Sequence, residues 1–164
     1  ENRKIIKSSV QMRSSTASCP GSRMAGRRKG RIIAFQALYS WDVSKRPVDE
    51  LLEFDWLEST KREKLGEEGL VFPRLIIAGA LEHIDDIDKQ IRDNLDNWDF
   101  NRLNRVDLAI LRMSVYSLLY QKDMHPSIVI DEAVDICKEF GSDESFRFVN
   151  AILDSIRKKN EGIQ

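Results

Sequence analysis

The chain has 164 residues, of which 41% are hydrophobic, and this is enough to bury the core of one compact domain. Its 26 basic and 27 acidic residues nearly cancel, so the net charge indicates no class of partner. No apolar run reaches the roughly 18 residues that a membrane-spanning helix needs. Two cysteines, Cys19 and Cys137, are too few for a disulfide framework, and we expect a reduced protein of the cytoplasm.

Charge is divided unevenly along the chain. The first 31 residues hold nine Lys or Arg and one acid, whereas the rest hold 17 basic and 26 acidic residues. Residues 1–24 are also Ser-rich and aperiodic, which predicts a disordered basic arm. The same composition is typical of an organellar transit peptide, and Met24 is an alternative functional start, so the origin of the arm stays open. A basic arm on an acidic body favours contact with nucleic acid at one edge of the protein.

Apolar residues recur at three- and four-residue steps from Arg31 to Asp42, which predicts an amphipathic helix. Four cations fall in its predicted first turn or just before it: Arg27, Arg28, Lys29 and Arg31. The first turn of a helix presents backbone N–H groups without partners, and these groups together with cations favour anions such as phosphate. The sequence therefore predicts a phosphate-binding turn. The alternative is a solvated basic end that only keeps the chain soluble.

The remaining patterns are helical as well. They predict a short helix after Pro47 and helices over 71–95, 107–120, 127–140 and 143–159, with a charged loop over 61–69. The segment 107–120 is apolar on nearly every side, so we expect it to be buried centrally. Pro126 and Gly141 fit the two ends of the 127–140 helix, and Ser142 fits the N-cap of the last helix. The sequence therefore predicts an all-α fold with six or seven helices.

Three segments carry a family resemblance: RRKGRIIAFQALYSWD at 27–42, RLNRVDLAILRMSVY at 102–116 and IVIDEAVDICKEFGSDESFRFVNAILD at 128–154. They resemble the NusB family of bacterial transcription antitermination factors over residues 25–159, which leaves 160–164 as a short tail. Asp131 departs from the family, which usually has Asn at that position. The resemblance implies one compact domain of two three-helix subdomains in a perpendicular-type arrangement. It also implies binding of boxA-type single-stranded RNA together with NusE, a small-subunit ribosomal protein. This assembly would join the RNA polymerase elongation complex and promote read-through of ribosomal RNA operons.

The resemblance also implies which residues bind RNA. The four cations match the Arg-rich first turn of the family, and five further residues are implied by family position: Tyr39, Asp107, Glu144, Arg147 and Phe148. Tyr39 and Phe148 equally fit a role in the core, and Asp107 and Glu144 fit acids that favour the dipole at a helix start. An acid in an RNA site would accept hydrogen bonds from base amino groups, or restrain affinity by repelling phosphate.

Arg112 interrupts the apolar segment 107–120, and a buried guanidinium needs a partner. We expect Glu132 to be that partner and Asn150 to satisfy further donors, so that the three residues form a structural polar core.

No pattern in the sequence supports an enzyme. His83 and His125 are isolated, and the acids over 83–88 are interrupted by apolar residues, which favours a solvated helix face over a metal site. We expect no catalysis, no metal and no cofactor. Two alternatives to the antitermination hypothesis remain: an RNA-recruiting module of an RNA-cytosine methyltransferase, and a protein-interaction module. A homodimer that hides the RNA surface also stays open.

Overall fold

A computed structural model of the chain describes residues 20–162, and the side chains of residues 26–162. These residues form seven α-helices: α1 (Pro20–Ser44), α2 (Val48–Glu53), α3 (Ser59–Glu82), α4 (Ile84–Arg92), α5 (Arg105–Tyr120), α6 (Pro126–Phe140) and α7 (Ser145–Glu161). A short 3₁₀ turn, Phe100–Arg102, precedes α5. No strand occurs between residues 20 and 162, and the predicted all-α fold is confirmed.

Helix α5 lies at the centre of the packing. Every residue from Asp107 to Ser117 is buried, as the apolar composition of this segment predicts. α1, α2 and α3 contact one another, α7 contacts α4 and α6, and α5 contacts members of both groups. Two groups of three helices therefore meet at α5. In the part of the chain that the structure describes, every helix is too short or too polar to cross a membrane.

Helix α1 begins earlier than its apolar pattern indicates. It starts at Pro20, a residue suited to the first helical position because that position needs no N–H donor. Arg27 therefore lies seven residues into the helix, where backbone N–H groups bond to preceding carbonyls. The prediction that the four cations sit at a helix N-terminus is wrong, and so is the argument from free N–H groups. Residues 20–24 of the predicted arm belong to α1, and residues 1–19 lie outside the described part.

Two boundaries around α3 differ from the sequence prediction. The predicted loop over 61–69 is helical, because α3 starts at Ser59 and is broken only at Gly66, whose φ of 61° and ψ of 177° are non-helical. A positive φ costs glycine little, so Gly66 accommodates the kink. The predicted helix 71–95 is instead two helices, since His83 adopts φ −106° and ψ 20° between α3 and α4.

The junction between α6 and α7 is fixed by close packing. Gly141 ends α6 as predicted, with an extended backbone (φ −89°, ψ −176°). A Cβ at Gly141 would lie 2.7 Å from the carbonyl oxygen of Cys137 and 2.7 Å from the Cβ of Ser145, so there is no room for a side chain. Ser142 is not the N-cap of the last helix. Its N–H instead donates to the Ser145 hydroxyl at 2.9 Å, and α7 starts at Ser145.

Arg112 is buried as expected, but its partner is not Glu132. Its Nε and Nη2 donate to the two carboxylate oxygens of Asp88, each at 2.8 Å, and its Nη1 lies 3.4 Å from Asp42 Oδ1. Burial lowers the pKa of this guanidinium, but the bonds to Asp88 and the charge of Asp42 outweigh burial and raise its pKa overall. The predicted role of Asn150 is also wrong, because this residue is exposed.

Asp88 explains why the predicted partner was wrong. It belongs to the acidic stretch 83–88 that the sequence assigns to a solvated face, yet it is buried and points from α4 to α5. Asp85 and Asp86 in the same stretch are exposed, as expected. Glu132 lies on α6 and faces the cations of α1.

Candidate nucleic-acid interface

The cations of α1 flank the point where this helix packs on α3. Gly30 is buried there, and a Cβ in its place would lie 2.7 Å from Cδ1 of Phe72. The guanidinium groups of Arg27 and Arg31 lie 5.6 Å and 5.1 Å from the centroid of the Phe72 ring, within the range of cation–π attraction. The aromatic ring and the missing side chain of Gly30 thus position two of the four predicted RNA-binding cations.

Arg31 is not a surface cation. The residue is only 3% exposed, and its Nη2 lies 2.7 Å from the sulfur of Met124. Burial is the main reason that its pKa is lowered, although the charge of Glu132 opposes this effect. The predicted direct contact of Arg31 with RNA therefore does not fit its position. The sequence places Arg31 in the first turn of its predicted helix, whereas contacts with Phe72 and Met124 enclose its side chain in the folded protein.

The other cations differ in their surroundings. Arg27 lies 3.5 Å from Asp123, and Arg28 faces three carboxylates of α6. The guanidinium of Arg28 lies 2.9 Å from Glu139, 3.9 Å from Glu132 and 4.0 Å from Asp135. Lys29 is exposed and, among the described residues, has no carboxylate within 4 Å. The cation cluster thus reaches solvent, but α6 neutralises much of it.

A second cluster lies at the start of α5. It surrounds a cavity of about 310 Å³ lined by Trp98, Arg102, Leu103, Asn104, Asp107, Ser142, Glu144, Ser145 and Phe148. Trp98 is 65% exposed, and its ring centroid lies 5.9 Å from that of Phe148. An exposed tryptophan is unusual, because its large apolar surface is normally covered. The two rings offer aromatic faces to a cavity that is also lined by polar side chains.

Asp107 places a carboxylate oxygen without a hydrogen-bond donor at this cavity, within the described part of the chain. The residue is 7% exposed, and its Oδ1 is buried with no hydrogen-bond partner among the described residues. Burial raises the pKa of the carboxyl group, and the hydroxyl of Ser145 opposes that change. A buried acceptor without a donor is costly, so a ligand that brings an N–H group into the cavity would relieve this cost.

The structure brings together three of the five residues implied by family position. Asp107, Glu144 and Phe148 line the same cavity, and Arg147 lies beside it with its Nη1 3.3 Å from Glu144. Tyr39 is exposed on α1 and is not part of the cavity.

Trp98 and Arg102 complete this cavity, and the sequence interpretation did not include them among the RNA-binding residues. Trp98 lies in the break between two predicted helices, where no periodicity indicates whether a side chain is buried or exposed. The one available signal was an aromatic residue flanked by the polar residues Asn97 and Asp99, between two predicted helices.

The family model described as "NusB family" matches residues 28–158. The chain belongs to the NusB family. A protein of Treponema denticola named transcription antitermination protein NusB is 54% identical over 135 residues, covering 82% of this chain and 98% of that protein. The protein of the same name from Treponema pallidum strain Nichols is 50% identical, covering 81% of this chain and 93% of that protein.

Solved structures of the family have the same fold. T. maritima NusB superposes with a TM-score of 0.73 at 35% identity, covering 81% of this chain and 91% of that one. A crystal structure of antitermination factors NusB and NusE in complex with dsRNA has a TM-score of 0.69 at 26% identity. It covers 83% of this chain and 98% of the matched one. The relation therefore extends over nearly the full length of these relatives.

Proposed function

We propose that this chain is a transcription antitermination factor that binds RNA together with NusE. Its membership of the NusB family supports this proposal, as do the names of relatives up to 54% identical and the similar chain solved with NusE and dsRNA. The RNA is of the boxA type, and the complex acts with RNA polymerase in the cytoplasm to promote read-through of ribosomal RNA operons. The chain acts by binding and not by catalysis.

The observation that carries the RNA-binding assignment within this chain is the cavity at Trp98. Single-stranded RNA is recognised when unstacked bases lie on aromatic rings and hydrogen-bond through their edges. Trp98 and Phe148 supply the aromatic faces, and the buried Oδ1 of Asp107 supplies an acceptor for a base amino or imino group. The cavity therefore suits one unstacked base, with Arg102 and Arg147 near its rim for the backbone.

The cations of α1 form the second part of the proposed interface. Arg27, Arg28 and Lys29 reach solvent and contact phosphates, while Arg31 supports them from below. If three surface cations contact three phosphates of a single strand, a plot of log affinity against log salt concentration should have a slope of about −2. NusE docks on helices away from these cations, so that the protein and RNA partners bind together.

The proposal is tested by fluorescence anisotropy with a boxA-like RNA and a scrambled RNA of the same composition, across salt and with and without NusE. We expect a preference for the boxA-like RNA that increases with NusE. Equal affinity for both RNAs would contradict sequence-specific recognition. If the chain binds NusE but neither RNA, the protein-interaction module is favoured. If it binds the boxA-like RNA with an affinity that NusE does not change, an RNA-recruiting module is favoured.

The cavity has its own test. Trp98→Ala should weaken binding of the boxA-like RNA by about 1–3 kcal/mol, the usual contribution of one base stacked on an aromatic ring. Val71→Ala is the matched control, because Val71 is a similarly exposed apolar side chain, 60% accessible, on α3. An equal effect of the two substitutions on affinity would place the base-binding site elsewhere.

A further inference from the structure

The three carboxylates that face Arg28 form a regular row on α6. Glu132, Asp135 and Glu139 are spaced by three and four residues, so they share one face of the helix. That face is turned towards α1, since all three lie within 4.0 Å of the Arg28 guanidinium. The shortest contact is a hydrogen bond of 2.9 Å from Nη2 of Arg28 to Oε2 of Glu139.

The acidic row changes the charge that RNA would meet. The four cations of α1 are matched by four carboxylates within 4.0 Å of Arg27 or Arg28, those of Asp123, Glu132, Asp135 and Glu139. Among the described side chains, the charges of these eight groups therefore cancel, although the sequence shows a strongly basic segment. An N–H group of Arg28 that donates to Glu139 cannot donate to a phosphate at the same time.

We propose that Glu139 and Asp135 restrain the RNA affinity of this chain, because a phosphate must replace their contacts with Arg28 before it can bind there. The inference rests on the proposed function and adds affinity-limiting residues on a helix that was not assigned to the interface. Arg28 is the residue through which the restraint acts, since its side chain is 34% exposed and both α6 carboxylates are more than half exposed. All three groups are thus open to an incoming phosphate. The ion pairs are accessible enough for phosphate to displace them, and each is expected to be weak.

The experiment compares the RNA affinity of Glu139→Gln with that of Asp131→Asn at low salt. Both substitutions remove one negative charge from an exposed position of α6, but only Glu139 pairs with Arg28; Asp131 has no cation within 4 Å among the described residues. We expect Glu139→Gln to bind both the boxA-like and the scrambled RNA about two- to five-fold more tightly, the range that one surface ion pair provides. Asp131→Asn should change affinity less than two-fold.

A double-mutant cycle separates the ion pair from a general effect of charge. In an Arg28→Ala background the gain from Glu139→Gln should disappear, because no guanidinium is left to release. Circular dichroism melts of each variant confirm that the fold is retained. The inference is overturned if Glu139→Gln and Asp131→Asn change RNA affinity equally, or if Glu139→Gln still raises RNA affinity in the Arg28→Ala background. In either case the proposed function stands. If neither the unsubstituted chain nor Glu139→Gln binds RNA at low salt, the proposed function and the inference fall together.

Discussion

Replacing Asp88 by alanine should destabilise the fold strongly without touching the proposed RNA interface. Asp88 accepts two hydrogen bonds from Arg112, at 2.8 Å each, between α4 and α5. The guanidinium also lies 5.5 Å from the centroid of the Trp41 ring, and the Arg112 side chain is only 5% exposed. Without Asp88, the charge of Arg112 stays buried with one remaining carboxylate, that of Asp42, at 3.4 Å.

The magnitude follows from this geometry. Removing one partner of a buried ion pair costs about 3–5 kcal/mol, mainly because the other charge is left without compensation. Asp42 compensates part of the charge, although the Nη1 of Arg112 that faces it makes no hydrogen bond. We therefore expect the lower end of the range, about 3 kcal/mol, which for a domain of this size lowers Tm by about 6–12 °C.

The assay is urea unfolding followed by circular dichroism, with the free energy of unfolding taken from the midpoint and the m-value. Asp85→Ala is the matched control, since Asp85 is an exposed acid in the first turn of the same helix and should cost less than about 1 kcal/mol. Glu132→Ala should also cost little. If Asp88→Ala is no more destabilising than Asp85→Ala, or if Glu132→Ala is the costly change, then the assignment of Asp88 as the partner of Arg112 is refuted.

Two further predictions concern the junction of α5, α6 and α7, and a third concerns α1. Burial raises the pKa of Asp107, so the folded state binds the carboxyl proton more tightly than the unfolded state does. Protonated Asp107 therefore stabilises the fold at low pH, and this stabilisation is lost as the pH rises from the ordinary pKa of Asp through the raised pKa. Asp107→Asn should therefore raise the Tm at neutral pH, and the Tm of the variant should fall less than that of the unsubstituted chain as the pH rises above about 4. The same pH profile of Tm in both proteins would contradict this explanation. Gly141→Ala should cost about 1–3 kcal/mol because the added methyl group meets the Cys137 carbonyl. Gly26→Ala, in open space within α1, should stabilise the helix by roughly 0.5–1 kcal/mol, and equal unfolding midpoints for the two variants would refute the steric argument.

Much of the candidate interface could be predicted from local sequence and family resemblance. The resemblance selected Asp107, Glu144 and Phe148, and the structure places all three around one cavity. Their contact with RNA stays a prediction. Arg31 was selected on the same grounds and is enclosed instead, because the resemblance identifies a position and does not show whether neighbouring helices cover it. Trp98 was missed, because it lies in the break between two predicted helices, where no periodicity indicates whether a side chain is exposed.

The sequence by itself determined the elements whose cause is local. Burial of α5 follows from an apolar surface on nearly every side of one segment. The start of α6 at Pro126 and its end at Gly141 follow from the backbone properties of single residues. Such features depend on residues within a turn or two of each other, so their periodicity and capping are visible in the order of amino acids.

Only the tertiary structure decided which charges meet. Arg112 pairs with Asp88, 24 residues away, and Arg28 pairs with Glu139, 111 residues away. A carboxylate on a helix surface looks the same in sequence whether it faces water or a cation on another helix, because its surroundings are set by packing. Packing thus places the acidic row of α6 beside the described cations of α1, and the carboxylates of this row offset the positive charge of Arg28.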